Sequence, residues 1–188
     1  MKDADYLASV TIGERKPFDE RIVLAPYDQD WPEEFVRQAH RIRGSLSDKV
    51  LLLEHVGSTS VPGLSAKPVI DMVLSVANSA DESAYVPHLE DQGFVLRIRE
   101  PEWFEHRLLN TPHARGNLHV FSAKCGEIDR MLMFRDWLRE HEDDRQVYED
   151  VKRELATRTW KHVQHYADAK SEVVEQILYR ARSCGGIP

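Results

Sequence analysis

Residues 55–71 carry the side chains of this chain that are best suited to chemistry. The segment reads His-Val-Gly-Ser-Thr-Ser-Val-Pro-Gly-Leu-Ser-Ala-Lys-Pro-Val-Ile-Asp. Its order is an apolar strand, a turn of small residues, and a second apolar strand that begins with a carboxylate. Backbone N–H groups and hydroxyls beside an acid commonly hold a phosphate together with its metal ion. The pattern therefore predicts a phosphate or anion site built from consecutive turn residues, namely Gly57, Ser58, Thr59 and Ser60.

Asp71 and Lys67 are the charged residues of this segment. A carboxylate inside a buried strand is costly unless it is paired, hydrogen-bonded or bound to a metal, so Asp71 is a stronger functional candidate than a surface acid. Lys67 can meet a phosphate as a point charge. The structural alternatives are an ordinary glycine and hydroxyl turn, a solvated Lys67, and an Asp71 that caps neighbouring backbone.

The elements that must position these residues are short strands followed by helices. A helix is predicted to begin at Asp30, which would be its cap, with Pro32 in the first turn. Apolar runs and alternation predict five strands, at 50–56, 69–76, 94–99, 103–109 and 118–123, with a loop at 110–117. Helical spacing and turn signals predict helices at 87–92, 128–141, 144–160 and 168–182.

Strands in the middle of the chain and helices at its end predict an α+β fold with a helical C-terminal layer. Residues 1–20 are interpreted as an N-terminal arm, and residues 21–188 as one domain. Val23 and Leu24 could pair briefly as a strand before Pro26. A chain of 188 residues is long enough to bury a core of its own.

Composition excludes several classes of function. The formal net charge of −7 argues against nucleic acid as a partner. No stretch approaches the roughly 20 apolar residues of a membrane span, and the acidic N-terminal residues do not resemble a signal peptide. The two cysteines have no paired spacing, which favours a reducing cytoplasmic setting.

Residues 55–64, followed by 67–71, resemble the GrpB family, which is similar to the nucleotidyltransferase superfamily. The resemblance continues at 117–121, 134–139 and 166–170, and at Tyr148, Lys152 and Leu155, so that it covers about residues 20–183. It implies a small mixed sheet flanked by helices. It also implies a nucleotidyl group as the transferred unit and a nucleotide or other phosphorylated small molecule as the ligand.

The resemblance assigns Asp71 to the first of two alternating metal-binding carboxylates. Twelve residues separate Ser58 from Asp71, which suits the superfamily pattern, but Val73 stands where the second carboxylate belongs. Two-metal phosphoryl transfer needs several oxygen ligands. A remodelled site for Mg, Mn or Zn would therefore draw on His119 and His55 beside Asp71, with Glu54 as a further donor.

Further residues are candidates for the site around Asp71. His119 alternates with Leu118 and Val120, so it faces a cleft or solvent if they face the core; it is a candidate base or metal ligand. Lys67 joins Asp71 and His119 in the predicted catalytic set. Arg107, Arg135 and Lys170 are candidate phosphate ligands, although an intrahelical charge network is an alternative role for the helical arginines.

Three functions remain open from the sequence. The first is a nucleotidyltransferase-like enzyme that transfers a nucleotidyl group to a small acceptor. The second is a non-catalytic nucleotide-binding or regulatory module, which the valine at position 73 favours. The third is a different small-molecule transferase or ligase in the same pocket, which clustering of His55, His106 and His119 near Asp71 would favour.

Overall fold

The computed structural model describes residues 4–14, 21–160 and 163–184. Five strands form one mixed sheet in the order β1-β2-β5-β4-β3. Only β2 and β5 run parallel; the other neighbours are antiparallel. The strands are β1 (Leu52–Val56), β2 (Ile70–Val76), β3 (Val95–Glu100), β4 (His106–Asn110) and β5 (Gly116–Ser122).

Helices cover both faces of this sheet. They are α1 (Ala4–Val10), α2 (Asp30–Leu46), α3 (Val86–Glu90), α4 (Gly126–Glu140), α5 (Glu142–Ala156), α6 (Val163–Asp168) and α7 (Ser171–Cys184). The predicted α+β class with a mixed sheet, flanking helices and a helical C-terminal layer is confirmed. In the part of the chain that the structure describes, no helix has both the length and the apolar character needed to cross a bilayer.

The two faces of the sheet differ in what covers them. Met72, Leu74, Leu118 and Val120 point to one face and pack in the largest apolar cluster with residues of α2 and α3. Because strand side chains alternate, Asp71, Val73, Asn117 and His119 point to the opposite face. That opposite face is covered partly by α4 and partly by an open cavity.

Several predicted boundaries move for identifiable reasons. Asp30 is the first helical residue and not the cap, because the Asp28 carboxylate accepts its N–H at 2.9 Å. The strand predicted at 103–109 begins at His106, since Phe104 and Glu105 have positive φ angles that turn the chain. The helix predicted at 168–182 corresponds to α7 and begins at Ser171, because Asp168 ends a separate short helix, α6, that the sequence reading did not identify.

The predicted N-terminal arm contains a helix that the sequence reading did not identify. Residues 1–3 and 15–20 of that arm lie outside the described residues. Helix α1 packs beside β3, and Thr11 forms a β-bridge with Ile98. A second bridge joins Ala25 to Ala66, close to the brief pairing predicted at Val23 and Leu24.

Candidate functional site

A cavity of about 490 Å³ opens at the end of the sheet where the parallel strands β2 and β5 begin. Its floor is the sheet face that carries Asp71 and His119, and the turn at 57–59 forms one rim. Residues of α1 and of the α6–α7 segment supply further walls. Of the predicted site residues, the cavity is lined by Gly57, Ser58, Thr59, Lys67, Asp71, His119 and Lys170.

Gly57 lies directly against the Asp71 carboxylate. The preceding residue, Val56, pairs with Asp71 across the β1–β2 ladder, and the chain then turns at Gly57 with φ +69° and ψ −174°. A Cβ at this position would lie 2.6 Å from Asp71 Oδ2. This backbone region is open almost only to glycine. The glycine therefore brings the turn and the carboxylate into contact.

Asp71 is held by a line of amide side chains. Asn117 Nδ2 donates to Asp71 Oδ1 at 2.8 Å, and Asn110 Nδ2 donates to Asn117 Oδ1 at 3.0 Å. Burial raises the pKa of Asp71, while the Asn117 hydrogen bond and the charges of Lys170 and Lys67 act in the lowering direction. The result is an acid whose ionised form is less favoured than in water, although cations surround it.

Three lysines share this cavity: Lys67, Lys152 and Lys170. Lys152 is only 1% exposed, and its Nζ donates to the Ser65 carbonyl oxygen. Burial, followed by the charge of Lys170, lowers the pKa of Lys152 to about 7. Lys170 stands at the start of α7 with its Nζ 4.5 Å from the centre of the Tyr166 ring. The cavity wall is therefore rich in ammonium groups, one of which titrates near neutral pH.

His119 lies in the cavity floor beside a second histidine. As predicted from the alternation, Leu118 and Val120 are fully buried on the other face. His119 Nδ1 is 3.0 Å from His106 Nε2, and His106 Nδ1 is 2.7 Å from Glu100 Oε2. Burial, followed by the charge of His106, lowers the pKa of His119 to about 3, so its ring is neutral at physiological pH.

Thr59 lines the cavity and Ser60 does not, although both belong to the same turn. Thr59 lines the cavity, but its Oγ1 is 3.0 Å from His55 Nε2. Ser60 Oγ donates to the Gly57 carbonyl oxygen at 2.6 Å, and its own carbonyl oxygen accepts from Arg139. Ser60 thus shapes the turn from behind and does not line the cavity.

Two predicted phosphate ligands are engaged elsewhere. Arg107 lies on the opposite face of β4 from His106, because side chains alternate along a strand, and its guanidinium pairs with Glu82. Arg135 binds the Glu54 carboxylate at 2.8 Å and the His55 carbonyl oxygen at 3.0 Å. Neither side chain lines the cavity, so the structure does not bring these arginines to the predicted phosphate site.

His55 is separated from the other two predicted metal ligands. It points to the α2 face, where its ring stacks on Phe35 with centroids 5.0 Å apart, and burial lowers its pKa to about 4. Asp71 and His119 point to the other face. Only His106 and His119, of the three histidines considered together, are neighbours. The clustering expected for the third function is therefore only partial.

The residues present do not fit a metal held by the protein. Across residues 4–14, 21–160 and 163–184, no group of three or more His, Cys, Asp or Glu side chains could hold a metal ion. Val73, at the position of the second carboxylate, is fully buried among apolar side chains. Asn117 turns its amide nitrogen, a donor, towards Asp71, and the nearby lysine ammonium groups are also donors, which do not bind metal ions.

Sequence reasoning missed several residues of this site. Asn117 shares the alternation that singled out His119, so the same pattern could have identified it. Lys152 belongs to a segment that resembles the family, but the sequence reading assigned it no role. Its burial follows from the packing of α5, and no local sequence pattern indicates it. Glu100 and Asn110 depend on strand register, which pairs Glu100 with His106 and Asn110 with Asn117.

Comparisons with known proteins agree with the fold. The family model described as GrpB protein matches residues 21–180. A UPF0157 protein of Halalkalibacterium halodurans is 58% identical over 179 residues, covering 95% of this chain and 92% of the relative. The crystal structure of the conserved protein GrpB from Enterococcus faecalis superposes with a TM-score of 0.72 at 28% identity, covering 84% of this chain and 98% of that one.

A more distant similarity involves a longer protein. A dephospho-CoA kinase of Mycolicibacterium paratuberculosis is 27% identical over an alignment of 188 residues that covers 84% of this chain. The alignment covers only 45% of that kinase, so more than half of the kinase has no counterpart here.

Proposed function

Because the chain belongs to the GrpB family, we propose that it is a nucleotidyltransferase-like enzyme whose cavity binds the phosphates of a nucleotide. The observation that carries this proposal is the convergence of three lysines and the Gly57–Thr59 turn on one cavity beside a single carboxylate. Ammonium groups and the leading N–H groups of a helical turn are the usual partners of phosphate. The transferred group is a nucleotidyl unit, and the acceptor is a small molecule.

The charges of the cavity favour an anionic ligand. Among the described residues that line the cavity, Asp71 is the one carboxylate, and burial raises its pKa, so its ionised form is less favoured than that of an exposed acid. Lys152 is kept partly neutral by burial, with its pKa lowered to about 7. A bound phosphate would favour the charged form of this lysine, so binding near pH 7 should take up protons.

No resident metal is part of this proposal, because the donor set around Asp71 does not fit one. Residues of the cavity bind and neutralise the phosphate instead. Lys67 and Lys170 neutralise phosphate charge, Gly57 and Ser58 contact the phosphate oxygens, and Asp71 and His119 face the reacting groups. The distant similarity to a protein named dephospho-CoA kinase supports a phosphorylated ligand.

A second candidate function is nucleotide binding without transfer. The observation that favours it is Val73, which fills the position of the second carboxylate with a buried apolar side chain. The two candidates make the same prediction for binding and opposite predictions for turnover.

Binding is tested by calorimetry with the nucleoside triphosphates, each with and without Mg²⁺. Lys67→Met and Lys170→Met should each weaken binding about tenfold to a hundredfold, since a hydrogen bond to a charged group contributes about 1.5–3 kcal/mol. Lys124→Met is the matched control, because Lys124 is exposed and does not line the cavity. Equal affinity in all three variants, or no binding by any triphosphate, would refute a phosphate site here.

Proton uptake gives an independent check on the same complex. Titrations at pH 7 in buffers of different ionisation enthalpy should show net uptake by the wild-type protein. The uptake should fall in Lys152→Met, where the titrating group is absent. Unchanged proton uptake in that variant would show that Lys152 is not the group that gains the proton on binding.

Turnover is tested by following phosphorus species by NMR in mixtures of the protein, a nucleoside triphosphate and small alcohols or amines. Release of diphosphate that is lost in Asp71→Asn supports the transferase. Binding without diphosphate release from any triphosphate, with every acceptor and metal tried, supports the second candidate.

A further inference from the structure

The cavity has an apolar end that the proposed phosphate site does not use. Leu7, Thr11, Ile98 and Leu108 line it, and we call these four residues the aliphatic end. Ile98 pairs with Leu108 in the sheet, and Leu108 pairs with His119. Paired residues of neighbouring strands share a face, so all three belong to the cavity floor. The other two residues come from α1 and its C-terminal end, beside β3.

Ile98 and Leu108 present apolar surface to the cavity. Both side chains are only half-buried, although β4 is an interior strand of the sheet. Neither belongs to an apolar cluster formed by the residues that the structure describes. The next residue, Leu109, is by contrast fully buried in the core on the opposite face. Since removal of apolar surface from water is favourable, the aliphatic end suits a ligand with an apolar group.

The same end offers little hydrogen bonding to a ligand. Leu7, Ile98 and Leu108 have no polar side-chain atoms. Thr11 donates its one hydroxyl hydrogen to the Leu7 carbonyl oxygen at 2.6 Å. A nucleobase or a sugar bound here would lose water from its polar groups without gaining protein partners. An aliphatic group has no polar atoms to desolvate, so the lining favours it over either of these.

The α1 wall of this end is fixed to the sheet. The Tyr6 hydroxyl donates to Glu100 Oε1 at 2.6 Å, and Glu100 is buried. After the helix, the Ile12 N–H donates to the Arg97 carbonyl oxygen at 2.8 Å. These two anchors hold α1 against β3 from both sides of Leu7. A wall that is already ordered costs less conformational entropy when a ligand binds.

The aliphatic end and the phosphate-binding turn lie towards opposite sides of the sheet. The turn at 57–59 follows β1, and Asp71 is in β2, whereas Leu108 and Ile98 are in β4 and β3. Neighbouring strands are about 4.8 Å apart, so two strand spacings, about 10 Å, separate Leu108 from Asp71 across the sheet. His119 of β5 lies between them. A group bound at the aliphatic end therefore approaches Asp71 and His119 from the side opposite to the turn.

We propose that the aliphatic end is the acceptor subsite, and that the acceptor is an alcohol or amine carrying an aliphatic group. This inference rests on the proposed function, names its acceptor class and adds no chemical step. The phosphates bind at the turn and the lysines, and the carbon chain of the acceptor binds on Leu7, Ile98 and Leu108. The hydroxyl or amine at the head of that chain then points towards Asp71 and His119.

The test is methyl NMR of the ligand-free protein titrated with straight-chain primary alcohols from ethanol to hexanol. The methyl groups of Leu7, Ile98 and Leu108 should shift saturably. The dissociation constant should fall about fourfold per added methylene, the equivalent of about 0.8 kcal/mol, until the chain fills this end.

Leu108→Asn should weaken hexanol binding about fourfold or more, read from the Ile98 methyl groups, because at least one methylene contact is lost. Val95→Asn is the matched control. Val95 also lies in a strand of this sheet, but it is 49% exposed and does not line the cavity, so its replacement should leave hexanol binding unchanged.

The inference is overturned if the three residues shift no more than other methyl groups, or if affinity does not rise with chain length. The wild-type titration decides this even if Leu108→Asn does not fold. Adenosine that displaces hexanol would assign this end to the nucleobase and would also overturn the inference; retention of hexanol supports it.

The alcohols carry no phosphate, so the result is independent of the lysines, and Lys67→Met should bind hexanol as the wild type does. Saturable hexanol binding together with a failed triphosphate titration would refute the proposed function and leave an aliphatic binding site. Triphosphate binding without hexanol binding would refute the acceptor subsite alone.

Discussion

Positions 71 and 73 of β2 lie on the same face of the same strand, yet their surroundings are opposite. The Asp71 side chain faces the cavity and accepts a hydrogen bond from Asn117. Val73 is fully buried in an apolar cluster with Val56, Phe121 and Ile128. The boundary falls where α4 begins to cover the sheet, and Met131 of that helix contacts both regions.

This difference explains why one carboxylate is present and the second is absent. A second carboxylate at position 73 would need the open space and the cations of the cavity to extend two residues further along β2. Here the helix fills that space, and an ionised side chain at position 73 would have no partner and little water. The position that the nucleotidyltransferase pattern gives to a second carboxylate is therefore part of the apolar core in this chain.

The sharpest way to break the contrast is Val73→Asp. A buried, unpaired carboxylate should lower the free energy of unfolding by about 3 kcal/mol or more, measured by urea denaturation at pH 7. The control is Val95→Asp, at a strand position that is 49% exposed, where the cost should be about 1 kcal/mol or less. A Val73→Asp protein as stable as the wild type would mean that the cluster is as open to charge as the cavity.

Gly57→Ala tests the contact between the turn and Asp71. The new Cβ would meet Asp71 Oδ2 at 2.6 Å from a backbone conformation that side chains avoid, so the loss should be about 3 kcal/mol. Gly63→Ala is the matched control, because Gly63 also has a positive φ but its Cβ would meet nothing within 4 Å. Its cost should stay near 1–2 kcal/mol. Equal losses in the two variants would contradict a special role for the Gly57–Asp71 contact.

A pH dependence of stability that belongs to Lys152 gives a third test. Its pKa is lowered to about 7 from 10.5, so the folded state binds this proton more weakly than the unfolded state. Unfolding therefore takes up a proton between pH 7 and pH 10.5, and stability rises with pH across that window. Denaturation curves of wild type and Lys152→Met should show the wild type gaining relative to the variant from pH 7 to pH 10. A constant difference would mean that Lys152 is charged throughout.

The sequence was most informative where local chemistry and alternation coincide. The 57–71 segment predicted the turn, the strand and the cavity acid, and alternation at 118–120 placed His119 correctly. The sequence was least informative about the arginines, because Arg135 and Arg107 form ion pairs with residues that only the tertiary fold brings near. His55 shows the same limit: its strand was predicted, but the face on which it lies depends on register.

The N-terminal helix has a consequence for how members of this family could differ. Leu7 and Thr11 line the cavity, but they precede residue 21, where the match to the family model begins. The floor of the cavity thus lies within the residues that match the family model, whereas Leu7 and Thr11 of one wall precede them. Under the proposed function, relatives with the same floor and a different helix here should admit acceptors of different shape. Exchange of this short helix between relatives would test whether it sets selectivity.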